Sequence, residues 1–251
     1  MEPITRERAM KWALALAIAI FMPGIFTAFL SQLSSFLGIT VGGPVPDLAS
    51  IIQDLNTFSG QIGFLLVVGF CLGVILAFKA DDIPRLDTVA WYIHMVSHEL
   101  VHALLARLCG YRIREFKFTR HGGYVAYSKP NARGNILITL GPYLFPLIPV
   151  ILTLLAAVFR GLVQSVLIFA LGVSLGSHIA GTTREVLIQY DVRQAGLFLS
   201  IMLILLTNLM LLALVMAVVS PSRVGFVDFL ENSWRLDVWY LGWIAGLFLR
   251  G

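Results

Sequence analysis

The stretch IHMVSHELVHALLARLCG, residues 93–110, decides how the rest of the chain is read. His98 and His102 stand four apart, so a helix carries both imidazoles on one face about one turn apart, with Glu99 rotated to flank them. That is the HExxH pattern of zinc sites. Neutral histidines bind Zn2+ at about 2.0–2.1 Å, the ion lowers its water's pKa toward about 7, and a flanking carboxylate can take the water's proton. A structural alternative is a buried helix whose histidines hydrogen-bond to neighbours. Burying His, Glu and His together in an apolar helix is costly without a compensating partner, which favours the metal reading.

Of the 251 residues, 58% are hydrophobic and only 13% are charged, and the mean hydropathy is +0.86. These values lie far outside the soluble globular range and point to a multi-pass integral membrane protein whose surroundings are a lipid bilayer. The net charge is +4 and the pI about 9.3, but the basic residues sit scattered at the ends of apolar runs. They read as topology signals, and no nucleic-acid partner is expected. Cys71 and Cys109 form no CxxC, so neither a disulfide framework nor a thiolate zinc site is indicated. Residues 1–22 look like a secretory signal, but no small-residue cleavage site follows, so a retained first helix is expected.

Residues 12–30 carry no charge, and at 1.5 Å per residue they span roughly 28 Å, enough for a hydrocarbon core, with Pro23-Gly24 as a candidate kink. Residues 31–60 lack Lys and Arg and carry the GGPVP punctuation at 42–46, which reads as a non-cytoplasmic loop. Arg6, Arg8 and Lys11 then place the N-terminus in the cytoplasm. A second span covers about residues 62–78 and ends at Lys79 and a polar turn, 81–85. Asp87 or Thr88 can cap the motif helix and Gly110 can end it. Its C-terminal flank holds Arg107, Arg112, Arg114, Lys117, Arg120, Lys129 and Arg133, so a full crossing would put the most basic segment outside. The expectation is that this helix, or the segment after it, enters the membrane and returns without a net crossing.

Residues 111–127 alternate like strand, with Phe116 and Phe118 on the opposite parity from Tyr111 and Ile113's run, as a bulge requires. His121-Gly122-Gly123 is the expected turn. The second strand, Tyr124, Val125, Ala126 and Tyr127, is a candidate edge that receives an extended peptide by β-augmentation; the alternative is a basic hairpin that anchors on anionic lipid. Residues 135–159 form a third span broken by Gly141-Pro142, Pro146 and Pro149, breaks that survive in lipid only where protein or a polar cavity satisfies the freed carbonyls. Residues 162–181 and 197–219 are further spans. The tail, 238–249, with Trp239, Tyr240 and Trp243, reads as an interfacial helix.

A catalytic zinc takes three protein ligands and keeps one position open. His94 continues the motif stripe, but it lies about 12 Å along the axis from His102, too far to share an ion with it. It is better placed as a neighbour of the ligands or a packed histidine. The remaining candidates lie in SHIAGTTREVLIQYD, residues 177–191: Asp191, His178 and Glu185. Asp191 could instead cap a helix, His178 could be a satisfied core histidine, and Glu185 could be an interfacial charge beside Arg184. The topology favours Asp191, which it returns to the same side as the motif helix.

A membrane-embedded HExxH, a basic hairpin after it, Gly141-Pro142 in the following span and an Asp near a later span together resemble the site-2 protease family of intramembrane zinc metalloproteases. The resemblance covers about residues 88–196. It implies Zn2+ held by His98, His102 and Asp191, Glu99 as the base, and membrane-anchored proteins as substrates. Two departures mark a divergent member. Asp191 stands in Gln-Tyr-Asp-Val instead of the family's Asn-Pro-Asp-Gly or Leu-Asp-Gly, and no Asn closely follows Gly141-Pro142.

The fold class expected is therefore an all-α polytopic membrane protein, with about five to six membrane helices and a small membrane-associated β-hairpin after the HExxH helix. It forms one integral membrane domain, with two N-terminal spans and loops at 1–87, a metalloprotease core at 88–196, and a C-terminal span and interfacial helix at 197–251. The function expected is zinc endopeptidase cleavage of membrane-anchored proteins near the cytoplasmic face. The alternatives are a membrane zincin with a Glu such as Glu185 as third ligand, or a non-catalytic metal-binding membrane scaffold. A compact multispan chain with an uncleaved first helix fits a prokaryotic inner membrane. The oligomeric state is not legible in the sequence.

Overall fold

The computed structural model describes residues 6–37, 58–79, 86–119, 122–128, 135–186, 190–220 and 224–249. Its elements in order are α1 (Arg6–Phe36), α2 (Phe58–Lys79), α3 (Leu86–Leu108), β1 (Arg112–Thr119), β2 (Gly122–Ser128), α4 (Ile136–Leu144), α5 (Leu147–Val158), α6 (Leu162–Glu185), α7 (Tyr190–Ala195), α8 (Leu197–Val219) and α9 (Phe226–Leu249). The 42–46 punctuation, the 81–85 turn, Arg120, His121, Lys129 and Arg133 lie outside the described residues.

Four helices are long and apolar enough to cross a membrane, namely α1, α2, α6 and α8, and a fifth crossing is reached if the bent pair α4–α5 counts as one. The chain is thus an all-α polytopic membrane protein with one small hairpin, and the sixth membrane helix allowed by the sequence is not found among the described residues. The motif helix α3 is 23 residues long but is not among these spans. Large apolar side chains such as Leu16, Leu30, Phe64 and Leu154 point outward, as lipid-facing residues do.

α2 and α6 form the frame. They pack through Gly69 and Gly73 on one side and Gly172 and Gly176 on the other, so close that a Cβ at any of the four would strike backbone of the opposite helix. Ser177 donates to the Gly73 carbonyl at 3.1 Å, and Arg184 donates to the Ala77 carbonyl at 2.8 Å. The pairing rises together along both helices, so they run parallel and put Lys79 and Arg184 at the same end. α5 returns against α6 around Gly161, with Gln164 donating to the Ala156 carbonyl at 3.1 Å. With α4–α5 as one crossing, the stretch from Lys79 to Asn135 begins and ends on one side, consistent with its basic charge.

Several local readings hold. α3 ends at Gly110, whose φ of 78° lets Gly110 N–H reach the Arg107 carbonyl at 3.0 Å and Tyr111 N–H reach the Ala106 carbonyl at 2.8 Å. Tyr111 then packs on Ala106 and Leu105, closing the end with an apolar contact. α3 begins at Leu86, so Asp87 and Thr88 fall within its first turn and not ahead of it. β1 and β2 pair antiparallel, with the register shift between Ile113 and Glu115 that the change of parity requires. Gly122 and Gly123, expected in the turn, are strand residues paired to Thr119 and Phe118.

The tail departs from expectation. α9 starts at Phe226, not near 238, and runs antiparallel along α1. Gln32 donates to the Gly225 carbonyl at 3.3 Å, Phe21 stacks on Trp234, and Gly24 N–H donates to the Asp237 carboxylate at 2.9 Å. The last of these contacts satisfies the Asp237 carboxylate, which lies just ahead of the apolar run at 238–249. Pro23 lies inside α1, which continues through it.

Candidate metal centre

α3 carries His94, His98 and His102 down one stripe and Met95 and Glu99 down the next. The Nε2 atoms of His98 and His102 face each other at 3.2 Å, and the two rings meet edge to face. Nitrogen ligands 2.0–2.1 Å from one tetrahedral ion stand about 3.3 Å apart, so this separation is what a shared zinc requires. The orientation is held from behind. His102 Nδ1 lies 2.7 Å from the carbonyl oxygen of Ile138, which can only accept, so Nδ1 carries the proton and Nε2 presents its lone pair.

The broken span explains why that carbonyl is available. In a helix, Ile138 C=O would accept from residue 142, but Pro142 has no N–H. The proline frees an acceptor and His102 takes it. Gly141, beside it, lets α4 approach α3: a Cβ there would run into Leu105 and stand 3.3 Å from Val101 Cγ1. Asn135 caps α4, accepting from Leu137 N–H at 2.9 Å, and fixes where the helix begins. Tyr143, one residue past the proline, is buried and packs edge to face on His98 at 5.5 Å.

Glu99 lies on the hairpin side of the imidazole pair. A Cβ on Gly123 would come within 2.8 Å of Glu99 Cγ and 2.9 Å of Met95 Sδ, so β2 crosses directly over the motif carboxylate. Tyr124 to Tyr127 follow immediately in β2. The sheet has two strands, which leaves the edge of β2 away from β1 without a strand partner among the described residues. The Tyr124 phenol hydrogen-bonds to the Glu115 carboxylate, and that bond raises its pKa.

The three candidates for a further ligand are placed differently. Among the described residues, the set of three groups whose ligand atoms all lie within 4.8 Å of one another is His94, His98 and Glu185. Glu185 lies at the end of α6, 3.4 Å from His94 Nε2. Distance along the helix keeps His94 from His102, yet Glu185 draws it to His98 from the other side. That cross-helix partner has no signature in the spacing of α3. His178 sits deeper on α6, with Nε2 buried and without a hydrogen-bond partner among the described residues. Asp191 lies in the first turn of α7, and its side chain lies outside the described part of the structure. Its segment is nevertheless close by: Val192 is fully buried against Leu140, Tyr143 and Leu144 of α4, the helix that orients His102. Ser200 of α8 donates to the Val192 carbonyl at 3.0 Å and fixes α7 there.

Residues 68–180 match the family model described as Peptidase M50B-like. The matched stretch runs from α2 into α6 and contains His98, Glu99, His102, the hairpin and the broken span, while Glu185 and Asp191 fall beyond its end. No curated protein and no solved structure matches the chain significantly.

Proposed function

From the match of residues 68–180 to the Peptidase M50B-like family model, we propose that the chain belongs to the site-2 protease family and is a zinc metalloendopeptidase that cleaves membrane-anchored proteins near the cytoplasmic face. The observation that supports this reading best is the pair of Nε2 atoms 3.2 Å apart, with one ring fixed by the Ile138 carbonyl. His98 and His102 fit zinc, and Asp191 completes the set because α7 packs on the helix that orients His102. When bound there, zinc would supply Lewis acidity to the scissile carbonyl and to water.

The chain's own groups have distinct tasks. Glu99 takes a proton from the attacking water and returns it to the leaving amine. The open edge of β2 at Tyr124, Val125, Ala126 and Tyr127 holds the substrate extended beside Glu99. A helical substrate hides its carbonyls in intrahelical bonds, so it must unwind before it reaches this strand. The end of the bundle that holds Lys79, Arg184 and Glu185 is the cytoplasmic one by the positive-inside rule, and the membrane is a prokaryotic inner membrane.

A second reading takes Glu185 as the third ligand, favoured by its place in the cluster with His94 and His98. Cleavage of fluorescein-labelled casein in detergent by zinc-loaded protein tests the enzyme. Glu99→Gln should abolish product while zinc stays bound, and cleavage at the wild-type rate in that variant would sink the mechanism.

A further inference from the structure

The histidine stripe of α3 has two steps, and they are built differently. At the inner step His98 and His102 face each other through Nε2 at 3.2 Å. At the outer step the partner of His94 comes from another helix: its Nε2 stands 3.4 Å from Oε1 of Glu185, the last residue of α6. A charge-assisted N–H···O bond closes to about 2.7–2.9 Å, so this contact is longer than a hydrogen-bonded ion pair needs. It is close to the roughly 3.3 Å that separates two ligand atoms around one tetrahedral zinc, as at the inner step.

The surroundings of the outer step suit a cation. α6 ends at Glu185, so the negative end of its dipole adds to the attraction of the carboxylate. The neighbouring Arg184 is engaged with α2, where it donates to the Ala77 carbonyl at 2.8 Å and lies over the Phe78 ring. Among the described residues, a Cβ on Gly181 would meet only His94, at 3.8 Å from Cε1, so the residue one turn before Glu185 leaves that side of the ring open. The His94 and Glu185 side chains are 50% and 28% exposed, which gives water and ions access to both.

His98 cannot serve both steps through one nitrogen. It offers a ligand atom within 4.8 Å of those of His94 and Glu185, but its Nε2 is turned to His102. An ion at the outer step is therefore held by His94 Nε2 and the Glu185 carboxylate and completed by water. Two side chains hold an ion less firmly than three, and an ion about 6 Å along the helix, one step of four residues, is repelled by the first.

We propose that His94 and Glu185 hold a second zinc ion, distinct from the one at His98 and His102, which binds when zinc is in excess and is lost on purification. This gives Glu185 an ion of its own in place of a third-ligand role. It rests on the reading of His98 and His102 as ligands of the first ion, and not on peptidase activity.

Equilibrium dialysis of the full chain against zinc, in detergent and without a histidine tag, tests the site. Wild type should bind about one zinc tightly and about one more weakly. His94→Gln and Glu185→Gln should each lose the weaker ion and keep the tighter one. His102→Ala should do the reverse, keeping an ion at the outer step, where His98 becomes free to join it. In wild-type protein labelled with 15N-histidine, the second equivalent of zinc should shift His94 Nε2 and leave His102 in place. A single ion in wild type, a weaker ion that persists in both outer-step variants, or no shift at His94 overturns the proposal. So does loss of the tighter ion in Glu185→Gln, which would make Glu185 the third ligand. A tighter ion that survives His102→Ala defeats the inner assignment alone, because the weaker ion is judged by its own two variants.

Discussion

Two seams between helices use the same residue for different ends. Along α2 and α6, Gly69, Gly73, Gly172 and Gly176 bring backbone onto backbone, and Ser177 adds a polar contact to the Gly73 carbonyl. Along α3 and α4, Gly141 brings a helix close whose next residue, Pro142, has released a carbonyl, and that carbonyl orients His102. The first seam builds a rigid frame. The second turns the same close approach into a defect with a function: a missing backbone hydrogen bond becomes the partner of an imidazole. Helix breaks are tolerated in lipid when the freed groups are satisfied, and here a side chain of the candidate metal centre satisfies one.

The contrast predicts effects of different size and kind. The largest is at the frame: Gly73→Val places a branched side chain against the Val173 carbonyl, and folded, monodisperse protein should be lost from detergent extracts. Recovery of a stable variant by size-exclusion chromatography would mean that the seam can separate without cost. Next comes Gly141→Val, which pushes α4 off Leu105 and Val101 and pulls Ile138 from His102. The protein should still fold, but zinc affinity measured by competition with a chelator should drop by about 10–100-fold. Smaller still is Pro142→Ala. The new N–H competes for the Ile138 carbonyl, which has a second lone pair, so affinity should fall about threefold or less. Equal effects of the two α4 substitutions would separate the proline from the orientation of His102.

The two seams also differed in how far the sequence revealed them. Periodicity and caps were legible: α8 occupies residues 197–219 as its apolar run indicates, Gly110 ends α3, and the parity change at Phe116 marks a bulge. These features are local, set by a few neighbouring residues. The pairing of His102 with Ile138 was half legible, since Pro142 announces a free carbonyl but not which side chain will claim it. Glu185 beside His94 and Asp237 under Gly24 were not legible, because each joins helices far apart in sequence. The start of the tail helix at Phe226 was missed because the apolar run begins only at 238; ahead of it, Asp237 is satisfied by a backbone N–H of α1 and Glu231 pairs with Arg235 at 3.9 Å.

Zinc content per chain in detergent-purified protein, for wild type, His102→Ala, Asp191→Ala, Glu185→Ala and Glu99→Gln, tests the central claim most directly. The account predicts about one zinc per chain in wild type, Glu99→Gln and Glu185→Ala, and loss of the ion in His102→Ala and Asp191→Ala. Wild-type protein that takes up no zinc under non-chelating conditions, or that loses it with Glu185 and keeps it without Asp191, would contradict that claim.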